Sequence, residues 1–167
     1  MTSLAFDKHD SLTAGTGRRA ATALLSTSNS FSLTLLRITL GLVMLPHGLQ
    51  KTAGWFGGHG FSATMDAFVG MGIPALLAFL AIAAESAGAL ALIAGFTTRI
   101  AAFGVGVTMA VAGLMHRANG FFMNWGGTQS GEGYEFHLLA IGIAIALMIA
   151  GAGRWSLDRF VTRNERA

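Results

Sequence analysis

Glu85 stands alone in a run that otherwise carries no charge, Pro74–Gly95 (PALLAFLAIAAESAGALALIAG). At ~1.5 Å per residue, that run is long enough to cross a hydrocarbon layer of ~30 Å as a helix. A carboxyl at such a depth costs ~2.5–3.5 kcal/mol on insertion scales, so it requires a counter-charge, a proton or a polar cavity. Five other residues in or beside apolar segments can supply one of these: Arg37, His47, Lys51, His116 and Glu135. His47, Glu85, His116 and Glu135 can each take up and release a proton, the property that general acid–base chemistry needs. Arg37 and Lys51 are fixed cations suited to hold an anionic or electron-rich group.

Four apolar segments must position these groups: about 31–51, 74–95, 98–116 and 134–153. The third has no charge between Ile100 and Met115, and the fourth none between Glu135 and Arg154. The first is interrupted by Arg37, Pro46 and His47, so its ends depend on snorkelling and on neighbouring helices. The fold class expected is all-α, an integral membrane four-helix bundle. Residues 1–30 read as a disordered cytoplasmic tail, 31–160 as the transmembrane domain and 161–167 as a short cytoplasmic tail. In the first outer loop, Phe61, Met65, Phe68, Val69 and Gly72 share a helical face, which predicts a short helix lying in the interface.

Composition agrees. Hydrophobic residues make up 53% of the 167 and charged ones 11%, against ~25% charged in a soluble domain. The absence of cysteine excludes disulfides, thiolate metal sites, Fe–S clusters and covalently attached c-type haem. Lys8, Arg18, Arg19, Arg99, Arg154, Arg159, Arg163 and Arg166 fall on one side of a four-span arrangement, and Lys51 and Arg117 on the other. The positive-inside rule therefore puts both termini in the cytoplasm. Trp55 and Trp125 fit the outer interface and Trp155 the inner one. The basic residues are topology signals rather than a nucleic-acid surface. Gly15-Thr16-Gly17-Arg18-Arg19 lacks the strand of a dinucleotide fingerprint and the cleavage site of an export signal.

Helical spacing sorts the polar groups. Positions 78, 81, 85, 88, 89 and 92 share a face that is almost wholly Ala and Gly apart from Glu85, so Glu85 points at another helix. Arg37, Gly41, Met44, Gly48 and Lys51 form a matching stripe on the first span. On the fourth, Glu135 lies over Gly142, Ala146 and Ala150, while His137 is turned ~200° away, which favours Glu135 as the interior group. By depth, Glu85 lies ~15 Å and Arg37 ~8 Å from the cytoplasmic side, so an extended arginine spans the ~7 Å between them. The expectation is a polar column from Arg37 through Glu85 to an outer patch of His47, Lys51, His116 and Glu135. As a structural alternative, an Arg37–Glu85 pair merely holds two helices together, and His59 and His137 are interfacial or packing residues. A haem between His47 and His116 is disfavoured, because two histidines do not specify one. No metal site is expected.

Leu36-Arg37-Ile38-Thr39-Leu40-Gly41-Leu42 with His47-Gly48-Leu49-Gln50-Lys51 resembles the opening motif of the DoxX family of small bacterial membrane proteins. Glu85-Ser86-Ala87-Gly88-Ala89-Leu90, the Gly95-Phe96 and Thr98-Arg99 turn, Gly133-Tyr134-Glu135-Phe136 and Gly153-Arg154-Trp155-Ser156-Leu157-Asp158 are similar to its later motifs, in order, over about 31–160. The closing motif often has Pro where this chain has Ala152 or its neighbour. The resemblance implies a multi-pass protein of the bacterial plasma (inner) membrane, classed as an oxidoreductase or quinol-oxidase-type subunit. The resemblance further implies relatives of which some form part of thiosulfate:quinone oxidoreductase and others are linked to complexes with soluble sulfurtransferase and superoxide-detoxifying partners, so that a soluble oxidoreductase or sulfurtransferase is the partner expected here.

The function expected is a membrane subunit of a redox system. It would couple quinone to a reduced sulfur compound or protect against oxidative and thiol stress, with His47, Glu85, His116 and Glu135 moving protons. The alternative is a non-catalytic anchor or assembly factor for a soluble oxidoreductase. A small-molecule carrier fits less well, since no inverted repeat is evident. Lipid is the expected surrounding and no nucleic acid the expected partner. A homo-oligomer is compatible with the sequence.

Overall fold

The computed structural model describes residues 22–164, and every regular element among them is helical. We label these α1 (Phe31–Thr52), α2 (Gly60–Gly70), α3 (Ala75–Ala94), α4 (Thr98–His116), α5 (Glu135–Ala150) and α6 (Leu157–Asn164), with a single 3-10 turn at Arg117–Asn119. α1, α3 and α4 are long and apolar enough to cross a membrane; α5 is apolar but shorter, at 16 residues. Lys8, Arg18, Arg19 and most of the expected N-terminal tail lie outside the described residues. Ser26, Thr27 and Ser28, placed by sequence in that tail, instead bond to the body of the protein through Arg99, Gly153 and Ala150.

The helices pack in a ring: α1 on α3, α3 on α4, α4 on α5, and α5 back on α1 along the thinnest seam. The buried hydrophobic residues are small or aliphatic, with Met44, Ala89, Leu92, Val105, Ala144 and Leu147 all fully enclosed. The outward faces are no more polar. Leu35, Leu76, Phe103, Leu139 and Ile149 are each more than half exposed, an apolar exterior that water would not tolerate over such an area and that lipid would cover.

Glycine sets the closest approach. A Cβ on Gly48 of α1 would lie 2.4 Å from the carbonyl oxygen of Glu85, and one on Gly41 would lie 2.7 Å from Cγ1 of Ile93. These two positions, two turns apart, bring the backbones of α1 and α3 together as small residues do in membrane helix pairs. Gly106 and Gly113 do the same for α4 against α5, where a Cβ would meet Cβ of Ala144 at 3.2 Å and Cβ of His137 at 3.1 Å.

One end of the molecule is closed by charged side chains that bind helix termini. α3 ends at Gly95, whose φ of 68° is the left-handed cap geometry that glycine adopts without strain. Arg37, 1% exposed, donates to the carbonyls of Leu92, Ile93, Ala152 and Trp155. Asp158 accepts from the N–H groups of Thr97 and Thr98 at 2.6 and 2.9 Å, capping the start of α4. Arg99 donates to the carbonyls of Met148, Ile149 and Ser26 at the end of α5. Each charge meets the pole of a helix dipole that favours it.

The opposite end carries the two long loops. α2, predicted from the Phe61–Gly72 spacing, forms there with none of its residues buried, and Phe61 packs edge-on against Phe79 of α3 at 6.4 Å.

Candidate functional site

Glu85 is 4% exposed, and its partner is Lys51, whose ammonium donates to Oε2. The expected Arg37–Glu85 pair does not form. Arg37 stays at the closed end because the carbonyls of Leu92, which also accepts from the Gly95 N–H, and Ile93 in the last turn of α3 take its guanidinium. The expected continuous column is therefore broken into two groups, Arg37 at one end and Lys51–Glu85 nearer the other. The Gly48 contact explains why Lys51 reaches Glu85: with no side chain between them, α1 lies directly on the turn of α3 that carries the carboxylate.

His47 is one turn before Lys51 on α1, exposed, and within electrostatic reach of both Lys51 and Glu85. Its ring tilts against Phe136 of α5 at 6.0 Å and thus spans the thin α1–α5 seam. Phe136 in turn meets the ring of His137 edge-on at 5.7 Å, and His137 stacks on His116 at 5.0 Å with 25° between planes. His116 donates from Nδ1 to the carbonyl of Ala112 at 2.8 Å. That bond places a hydrogen on Nδ1 and turns Nε2 away from the helix backbone.

The preference for Glu135 over His137 as the interior group of α5 is reversed. His137, assigned there to an outer or packing face, is 8% exposed and lies inside with Ala140, Ala144 and Leu147. Its Nδ1 is enclosed without a hydrogen-bond partner. Glu135, favoured as the interior group, instead turns to the 117–134 loop and accepts from the Met123 N–H at 2.9 Å and from Trp125 Nε1 at 3.1 Å. The first N–H of α5 is taken by that same loop, since Glu135 N–H donates to the Phe121 carbonyl at 2.9 Å. The signal for His137 was present: Ala140 and Ala144, three and seven residues on, complete a small-residue stripe of the kind that marks helix contacts.

The structure thus brings together Lys51, Glu85, His47, His137 and His116, joined through Phe136, and keeps Arg37 and Glu135 apart from them. Such a row offers one compensated carboxylate, one ammonium and three imidazoles beside aromatic surface. It can donate and accept hydrogen bonds and move protons next to an apolar ligand.

The DoxX family model matches residues 32–118. Inner membrane protein YqjF of Escherichia coli (strain K12) is 32% identical over 113 residues, covering 67% of this chain and 82% of that protein. A Bacillus subtilis (strain 168) protein named "Putative oxidoreductase CatD" is 26% identical over 132 residues, 79% of this chain and 88% of the relative. No solved structure matches the chain significantly. Helices able to span a membrane, the family match and the relationship to an inner membrane protein agree, and this chain is a membrane protein of the DoxX family.

Proposed function

We propose that the protein is the membrane subunit of a redox system. In this reading it crosses the bacterial inner membrane four times with both termini in the cytoplasm, and it handles quinone at the end that carries the 117–134 loop. The observation that carries the proposal is the row from Glu85 and Lys51 through His47 and Phe136 to the stacked His137 and His116. The name of the Bacillus subtilis relative supports a redox role.

The residues suit such a ligand. A bound quinone supplies two-electron chemistry accompanied by two protons. His116 and His137 lie side by side as two imidazoles, and each can serve as a separate proton carrier beside the ligand. The Lys51 ammonium stabilises negative charge on a ligand oxygen, and Phe136 presents aromatic surface to a planar ring. Electrons come from a soluble oxidoreductase or sulfurtransferase partner, with a reduced sulfur compound as the ultimate donor.

A second reading, the non-catalytic anchor, is favoured by one observation: Glu85 is already compensated by Lys51, as a helix clamp would be. The two are separated by His116→Phe, which keeps a ring stacked on His137 but removes the proton site. If the quinone reading holds, quinone-linked turnover per folded molecule falls by ~10²-fold or more, while bound quinone and thermal stability stay close to wild type. Full activity per folded molecule leaves the anchor reading standing.

A further inference from the structure

The two ends of the molecule differ in a way that fixes how the Lys51–Glu85 cluster communicates with water. We infer that it is a one-sided site: protons and ligand head groups reach it only from the end bearing the 117–134 loop, and the Arg37 end is a permanent seal. This deepens the redox reading above, naming the compartment with which its site exchanges.

The seal has two layers. Between Glu85 and the Arg37 end, the space among α1, α3, α4 and α5 is filled by Met44, Ala89, Leu92, Val105, Ala144 and Leu147, each fully buried and without a polar side-chain group. Proton transfer requires a chain of donors and acceptors, and these six side chains supply none through that layer. Below it, Arg37 donates four bonds to the carbonyls of Leu92, Ile93, Ala152 and Trp155. Arg99 and Asp158 tie the ends of α5 and α4 in the same plane. To open this end, the molecule would have to strip bonds from two arginines and a carboxylate together, each then left uncompensated in low dielectric. Alternating access, which a carrier needs, would require that opening.

The other end is open in the same terms. His47 is exposed and Lys51 is 22% exposed at its side chain, although both adjoin the buried Glu85. His47 and Phe136 face each other across the α1–α5 seam, the thinnest contact in the ring. A ligand with an apolar body can therefore approach through that seam from lipid while its polar head meets Lys51 and His47 at the wet rim.

The chain has no cysteine, so single-cysteine variants of the full protein in proteoliposomes test this directly with a charged, membrane-impermeant methanethiosulfonate reagent. Gln129→Cys in the long loop and Arg163→Cys in α6 report the two faces. His47→Cys is expected to react only from the face at which Gln129→Cys reacts. Ala89→Cys is expected to be unreactive from both faces, at least ~10²-fold slower than Gln129→Cys, and Val105→Cys, nearly equal in volume, repeats the test should Ala89→Cys not fold. Reaction at 89 or 105 from either face, reaction at 47 from the Arg163 face, or no reaction at 47 from either face overturns the inference. Labelling reads geometry and not turnover. The expected pattern in a protein without quinone-linked activity would remove the redox reading and leave one-sided access in place.

Discussion

Lys51 and Glu85 depend on each other, because the carboxylate is enclosed and, among the described residues, the group that bonds it is that ammonium. Removing one member leaves a charge without compensation, a cost of about 3–5 kcal/mol for a fully buried pair, reduced here by the partial exposure of Lys51. Lys51→Met and Glu85→Leu should each lower the thermal midpoint in detergent, and the double variant should recover much of the loss. Additive losses would show that the two residues are stabilised by separate partners. The sequence made it legible that Glu85 faces another helix and that a basic residue on α1 answers it, but the depth estimate pointed to Arg37. The error has a physical source. A side-chain reach argument counts charges and overlooks backbone carbonyls, and the last turn of α3 offers Arg37 acceptors closer than Glu85.

The scale of elements is governed by glycines whose absent side chains set interhelical distance. Gly48→Ala would force a methyl to within 2.4 Å of the Glu85 carbonyl oxygen, so α1 and α3 must separate and Lys51 must retreat from Glu85. The expected loss is about 1–3 kcal/mol, the usual cost of overpacking. Gly142→Ala, where a Cβ meets nothing within 4 Å, should be neutral or slightly stabilising. Thermal unfolding of both variants in the same detergent checks the contrast, and equal losses would mean that the α1–α3 contact is not the tight one. The stripe Arg37, Gly41, Met44, Gly48 was legible from spacing alone, since it lines the buried face of α1. α5 was harder to orient because it is apolar all round. Its sequence gives little amphipathic contrast to decide between the face of Glu135 and that of His137, and the decision rests on the glycines of α4 that receive it.

For the whole molecule, the remaining question is how its closed and open ends sit relative to the membrane. Arg99, Arg154, Arg159 and Arg163 gather at the closed end, and Arg37 and Arg99 there are already committed to helix termini. Trp155 is exposed beside Arg154, with the guanidinium carbon 5.5 Å from the ring centre, a pairing that suits a headgroup layer. Leu157, Phe160 and Val161 project from α6 next to Arg159 and Arg163, as an interfacial helix would present them. Trp55, Phe56, Phe122 and Trp125 form an exposed aromatic set at the other end. In the topology proposed above, which follows the positive-inside rule, the closed end is cytoplasmic and the Lys51–Glu85 cluster lies toward the outer surface. Reporter fusions after Gly60 and after Gly127 should read as extracytoplasmic, and a fusion at the C-terminus as cytoplasmic. A cytoplasmic signal at Gly60 would mean that α1 does not cross as drawn. A cytoplasmic signal at Gly127 alone would place the fault in α4 and α5, of which α5, at 16 residues or ~24 Å, is short for the hydrocarbon layer. Its shortness is compatible with crossing because Arg99 donates to the Met148 and Ile149 carbonyls at one end and the Phe121 carbonyl takes the Glu135 N–H at the other, which reduces the backbone groups left unpaired should those ends lie below the headgroups.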